Sequence, residues 1–181
     1  MQEIICVLDK SGSMRSVKDD ALGGFNKFID DQKAIDEAGL TVVWFDDQFD
    51  VGYEGKLSEM KPVTDWPNGG MTGLRDAIGR TFAHVRERFA AEKPEKVIMA
   101  ILTDGFENCS HKFSKEAVAN LIKEHQEKYG WDVIFLAADQ DAWATAQHYG
   151  ILKENAVNYN SLDTRGGFAE YSCSVATARM K

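Results

Sequence analysis

The chain predicts an α/β fold: a doubly wound, Rossmann-like, mostly parallel sheet with one antiparallel edge strand and helices on both faces. Three observations predict it. Residues 4–8 and 98–102 are unbroken apolar runs, as expected of strands buried on both faces of a parallel sheet. Segments with apolar residues at helical spacing alternate with those runs, which places helices between the strands. Only a few residues separate the apolar run 40–45 from residues 49–53. That gap is too short for a crossover, so the pair is read as an antiparallel hairpin whose second strand lies at an edge.

The first strand stops at Asp9, and Ser11, Gly12 and Ser13 follow. Residues two apart in an extended chain point the same way. Asp9, Ser11 and Ser13 therefore offer clustered hard oxygen ligands, the kind that magnesium, calcium and manganese prefer. Gly12 lets the backbone turn tightly there. Val17, Ala21, Leu22, Phe25, Phe28 and Ile29 then recur at helical spacing, with Ser16 as the expected N-cap. Gly23 and Gly24 interrupt this helix at a cost of about 1 kcal/mol each relative to Ala. They are read as close packing on the sheet, with a small break as the alternative. Gly39 ends the connection, and the second strand stops at Asp46-Asp47.

Residues 58–70 have no period, and Pro62, Trp66, Pro67 and Asn68 mark them as loop. Gly69-Gly70-Met71-Thr72-Gly73 sets a hydroxyl just before the second helix, whose inner face is Leu74, Ala77, Ile78, Thr81, Phe82, Val85 and Phe89. After Pro94 comes the buried run that ends at Thr103-Asp104-Gly105. Ser114 caps a third helix with Val118, Leu121, Ile122 and His125 inward, and Gly130 stops it. Residues 131–138 form another buried strand, ending at Asp139. A short helix over 142–149, a short strand from Val157 and a closing helix after Gly166-Gly167 complete the chain. No repeat, low-complexity tract or linker divides it, so residues 1–181 are expected to form one domain.

Composition narrows the function. Hydrophobic residues make up 44% of the chain, enough for a sizeable core. A net charge of −8 argues against nucleic acid and against an anionic membrane surface as partners. The three cysteines, Cys6, Cys109 and Cys173, are widely spaced and odd in number, which is no disulfide framework. Cys6 is read as an inert core residue. Cys109 is either a reactive thiol near the site or an ordinary free one. His84, His111, His125 and His148 show no zinc spacing. Neither a signal peptide nor a membrane-spanning run is visible, so the expected location is the cytoplasm.

Taken together, Asp9-x-Ser11-x-Ser13, the distant Thr72 and the later Asp104 resemble the von Willebrand factor A (vWA) domain family. The resemblance runs from about Glu3 to about Asp139 and is that of a standalone, single-domain member. It implies that these five residues form a metal-ion-dependent adhesion site. It further implies a magnesium ion there, with manganese or calcium as alternatives, and a protein partner that offers an Asp or Glu to the metal. It also implies that the first and fourth strands are central neighbours, so that Asp9 and Asp104 flank the crevice where ligands bind. A binding module of this kind breaks no bonds and is not an enzyme.

Simpler roles exist for each residue. Ser11, Ser13 and Thr72 can cap helices, and Asp104 before Gly105 can serve a turn. Asp46, Asp47 and Asp139 make an acidic rim or are ordinary solvated carboxylates. Met14, Trp66, Met71 and Phe106 are expected around the metal as an exposed contact surface, unless Trp66 folds back over the core. Two other functions compete. A phosphohydrolase of the haloacid dehalogenase kind also begins with a strand ending in Asp, but it wants a carboxylate two residues later, where this chain has Ser11. The other is a structural subunit with a vestigial metal site.

Overall fold

The computed structural model describes residues 1–139 and 141–181. Six strands form one sheet: β1 (Gln2–Asp9), β2 (Gly39–Phe45), β3 (Phe49–Lys56), β4 (Lys96–Thr103), β5 (Asp132–Ala138) and β6 (Ala156–Tyr159). Their spatial order is β3-β2-β1-β4-β5-β6. Only the β2–β3 pair is antiparallel, so β3 is the antiparallel edge strand the short gap requires. β1 and β4 are central neighbours, with Leu8 opposite Leu102.

The twofold alternation of a buried strand divides the core. Ile4, Cys6 and Leu8 enter one apolar cluster, and Ile5 and Val7 enter the other. The first cluster is closed by α1 (Lys18–Lys33) and α5 (Thr164–Met180), which bring Phe25, Phe28, Phe168 and Tyr171. The second is closed by α2 (Leu74–Ala91), α3 (Lys115–Tyr129) and α4 (Ala142–His148). The Ser114 hydroxyl accepts the Ala117 N–H at 3.0 Å and caps α3. Gly130, with φ at 66°, ends that helix in the left-handed region where a side chain is strained.

Three local expectations need correction. Ser16 does not cap α1: a 3₁₀ turn, Gly12–Val17, precedes the helix, and the Ser16 hydroxyl turns back to donate to the Ser13 carbonyl at 3.3 Å. The closing helix does not begin after Gly166-Gly167 but contains them, starting at Thr164 with Asp163 accepting the Gly166 N–H at 3.0 Å. Gly24 does mark close packing in an unbroken helix, but against α5 rather than the sheet. A Cβ there would stand 2.7 Å from the Phe168 ring.

This contact gives the two glycines opposite expected effects. Gly24→Ala should destabilise the protein, because overpacking costs about 1–3 kcal/mol and outweighs the roughly 1 kcal/mol gained in helix propensity. Gly23 has open space, its nearest neighbour being Arg165 Nη2 at 3.9 Å, so Gly23→Ala should stabilise. Urea denaturation of both variants checks the sign of each. Equal gains would mean that Phe168 moves aside freely.

Candidate functional site

β1 and β4 run parallel and in register, so their carboxyl ends open at one edge of the sheet. Asp9, the last residue of β1, is fully buried. Its Oδ1 accepts the Ser11 N–H at 2.7 Å and its Oδ2 accepts the Thr103 hydroxyl at 2.6 Å. Asp104 follows the last residue of β4, and its Oδ1 accepts the Ser13 hydroxyl at 2.7 Å. The Ser11 and Ser13 hydroxyls lie 3.1 Å apart. Asp9, Ser11, Ser13 and Asp104 thus form one hydrogen-bonded group.

Thr72 reaches the same place through its backbone. The Gly12 N–H donates to the Gly70 carbonyl at 3.0 Å, and the Gly69 N–H to the Lys10 carbonyl at 2.8 Å. A Cβ at Gly12 would sit 3.0 Å from the Gly69 carbonyl. Close approach of the two loops therefore explains Gly12, where the sequence suggested only a tight turn. On the other side, Asn108 clasps Thr72: its Oδ1 accepts the Thr72 N–H at 2.9 Å, and its own N–H donates to the Thr72 carbonyl at 3.0 Å. A Cβ at Gly105 would meet Thr72 Oγ1 at 3.0 Å and Ser13 Oγ at 3.9 Å. All five residues singled out in the sequence therefore share one crevice.

Burial is the first cause of the electrostatics here. It raises the Asp9 carboxyl above its usual value, against the hydrogen bonds from Ser11 and Thr103. It also pushes Asp104 up to about 6; the Ser13 bond opposes this, and the negative charge of Asp9 adds to it. Mutual repulsion of the two carboxylates is therefore the smaller contribution. Each carboxylate oxygen keeps lone-pair capacity beyond the bonds described. A group of two carboxylates and three hydroxyls, all oxygen, fits a hard cation that would offset the buried charge. Among the described residues, no three His, Cys, Asp or Glu side chains cluster to hold a metal by themselves. The hydroxyls are thus essential to any such site.

The surrounding residues divide. Met71 is 54% exposed and Phe106 68%, beside Thr72 and Gly105. Met14 and Trp66 are wholly buried, so neither belongs to a contact surface. Trp66 folds back into the core, 4.6 Å from the Trp44 ring, and its Nε1–H donates to the Asp9 carbonyl at 3.2 Å. Asp46 is nearly buried and accepts the Gln48 N–H at 2.6 Å and the Gly70 N–H at 3.1 Å, so it shapes the loop rather than standing solvated. Asp139, at φ 54°, accepts the Ser161 N–H at 3.0 Å and the Ser161 hydroxyl, which hold its carboxyl below the ordinary value. Burial, then Glu107 and Asp47, raise the Cys109 thiol; that favours the ordinary free thiol over a reactive one.

Sequence reasoning missed Thr103, Asn108 and Glu107. Glu107 accepts the N–H groups of Arg75 at 2.8 Å, Cys109 at 3.0 Å and Ser110 at 2.7 Å, locking the loop that carries Asn108. Thr103 had a signal, since it precedes Asp104. Only the placement of β4 beside β1, which brings its hydroxyl to Asp9 Oδ2, reveals its role.

Known structures share this architecture. The chain has the von Willebrand factor A fold. It is similar to the ArnB paralog VWA2 from Sulfolobus acidocaldarius, with 16% identity and a TM-score of 0.61 over 91% of this chain and 43% of that one. It is similar over its whole length, and over all of the other chain, to BatB from Bacteroides thetaiotaomicron, with 14% identity and a TM-score of 0.61. The vWF domain of the type V pili tip protein Mfa5 from Porphyromonas gingivalis matches over 97% of this chain and 95% of that one, with 10% identity and a TM-score of 0.62. The chain spans less than half of VWA2. No protein-family model and no curated protein matches it.

Proposed function

We propose that this domain is a cation-dependent protein-binding module. Asp9, Ser11, Ser13, Thr72 and Asp104 would hold a magnesium ion, or manganese or calcium in its place, and the ion would take a carboxylate from a protein partner. The observation that carries this reading is the oxygen-only group in which Ser13 joins the ends of two central strands through Asp104. In the bound state, the cation supplies a positive charge with a coordination position open to an outside oxygen. The chain's own residues do the rest. The Thr103 hydroxyl and the Ser11 N–H orient the Asp9 carboxylate. Asn108 fixes the Thr72 backbone, and Met71 and Phe106 offer apolar contact around the crevice. The vWA domains it resembles include a pilus tip protein, which supports interaction with proteins as the general class. The cysteines Cys6, Cys109 and Cys173 are all free, which favours a reducing compartment, the cytoplasm. Among the described residues, no helix is long and apolar enough to cross a membrane.

We favour binding over catalysis because Ser11 stands where a phosphohydrolase would need its second carboxylate. Calorimetry tests the assignment. Asp104→Ala should weaken magnesium binding at least about tenfold, the lower end of what even outer partners of metal ligands cost. Wild-type affinity should fall as the pH drops through about 6, where Asp104 takes up its proton. Equal affinity in both proteins would refute the site. A partner captured from the native host should be released by EDTA and recaptured on adding magnesium; an interface indifferent to chelation favours the vestigial-site reading.

A further inference from the structure

A second site lies on the opposite side of the sheet from α1 and α5. A groove of about 620 Å³ opens between α2 and α3, over the start of β4 and β5. Its volume is in the range of roughly 300–1,000 Å³ typical of small-molecule sites. Its walls are rings. Trp131 stacks on Phe82 at 5.3 Å and meets Phe89 edge-on at 5.9 Å. His125 packs 4.6 Å from Trp131 and 5.2 Å from Tyr129. Tyr129 remains 51% exposed, so the box is open on the solvent side.

The charges around this box are unbalanced, which is unexpected on a chain with a net charge of −8. Of the lining carboxylates, Glu124 is paired with Lys128 at 3.0 Å and Glu95 with the amino terminus at 3.0 Å. Lys96 is paired with Asp132 at 3.6 Å. That leaves Arg86 and Lys93 at the mouth: Arg86 adds, after Lys128, to the lowering of the Glu124 carboxyl, and Lys93 has no ion pair to a carboxylate among the described residues. Lys93 Nζ lies over the Tyr129 ring, 5.9 Å from its centre. His125 adds no charge at neutral pH, because burial lowers its pKa, and its Nδ1–H donates to the Leu121 carbonyl at 2.7 Å.

We propose that this groove binds a flat aromatic acid, with its rings against Phe89 and Tyr129 over the closed floor of Phe82 and Trp131 and its carboxylate against Lys93 and Arg86. Ring walls suit a planar apolar body, since aromatic faces stack and exclude water. Lys93, with Arg86 beside it, leaves positive charge at the rim that selects an anion over a neutral ligand of the same shape. The site is independent of the cation-binding crevice, so the proposal goes beyond the function proposed above.

The probe is 2-naphthoate, titrated by calorimetry into the full chain in EDTA, with the neutral isostere 2-naphthalenemethanol as the comparison. Running without metal keeps the outcome separate from the fate of the metal site. Saturable one-to-one binding of naphthoate is expected, with a Kd of about 0.1 mM and a preference of about fivefold over the alcohol. Arg86→Gln combined with Lys93→Gln should erase that preference while leaving the alcohol's affinity unchanged. Ala90→Trp, at an exposed lining position, should fill the groove and abolish binding of both compounds without harming the fold. The absence of saturable binding, equal affinity for acid and alcohol in the wild type, or undiminished binding in Ala90→Trp would each overturn the proposal. Self-association on sedimentation that Ala90→Trp abolishes would assign the groove to a second copy of the chain, and would overturn it as well.

Discussion

Trp66→Ala is expected to lower stability by about 3–5 kcal/mol, the range for truncating a fully buried aromatic residue. Trp66 lies in a segment without regular secondary structure, yet it is wholly buried. It packs edge-on against Trp44 at 4.6 Å, Phe168 at 5.8 Å and Phe25 at 6.2 Å, and so joins β2, α1 and α5. Removing it opens a cavity where these three elements meet, and rigid neighbours on three sides limit collapse. Its indole N–H also holds the Asp9 carbonyl at 3.2 Å, so the damage extends to the end of β1. Trp66→Phe keeps most of the ring volume and loses that bond, which should add about 1 kcal/mol to the cost of the volume change. Thermal and urea unfolding separate the two. A fall in Tm of roughly 10 °C is expected for Ala, given the size of the domain. A shift within a degree or two would mean that the loop detaches and Trp66 is no part of the core.

The features legible in the sequence are those set by local pattern. Unbroken apolar runs marked β1, β4 and β5, because strands covered on both faces have no polar side to show. The few residues before β3 excluded a crossover and fixed its antiparallel pairing. The five oxygen-bearing residues of the crevice were legible because Asp9 and Asp104 stand at the ends of buried strands, while Ser11, Ser13 and Thr72 lie in the short stretches between a strand or loop and the next helix. What stayed hidden depends on distant partners. Gly24 looks the same whether it meets a sheet or a helix, and only the placement of α5 shows that Phe168 lies against it. Trp66 sits among prolines and polar residues, so its segment reads as loop; its burial follows from the aromatic cluster that α1, β2 and α5 assemble. Thr103 and Asn108 act across a strand pairing and a loop closure, and neither is encoded in their own neighbourhoods.

Asp9→Asn should melt at or above the wild-type temperature in EDTA at neutral pH, and should gain far less from magnesium. The sign follows from the raised carboxyl groups. A carboxyl whose folded pKa lies above its unfolded value stabilises the fold fully when both states are protonated, below the unfolded value. That stability is lost as the pH rises through the folded value. For Asp104 this window runs from 3.8 to about 6, and Asp9 is shifted in the same direction. At neutral pH, above the Asp104 window, the metal-free protein therefore carries buried negative charge at a cost. Asn removes one charge and keeps the shape: its Oδ1 can accept the Ser11 N–H, and its Nδ2 can donate to Thr103 Oγ1. The Thr103 hydroxyl is then free to donate to the Gly105 carbonyl, 3.1 Å away. The advantage of the variant should disappear at about pH 4, where protonation discharges the wild-type pair. Magnesium at about 100 times its Kd should add roughly 2.7 kcal/mol to the wild type, a rise of several degrees for a domain of this size. If Asp9 only organises the Ser11 turn, Asn should shift the melt equally with and without metal. Parallel melting curves across a magnesium titration would then leave the crevice as a structural hydrogen-bond cluster and remove the basis for cation-dependent binding.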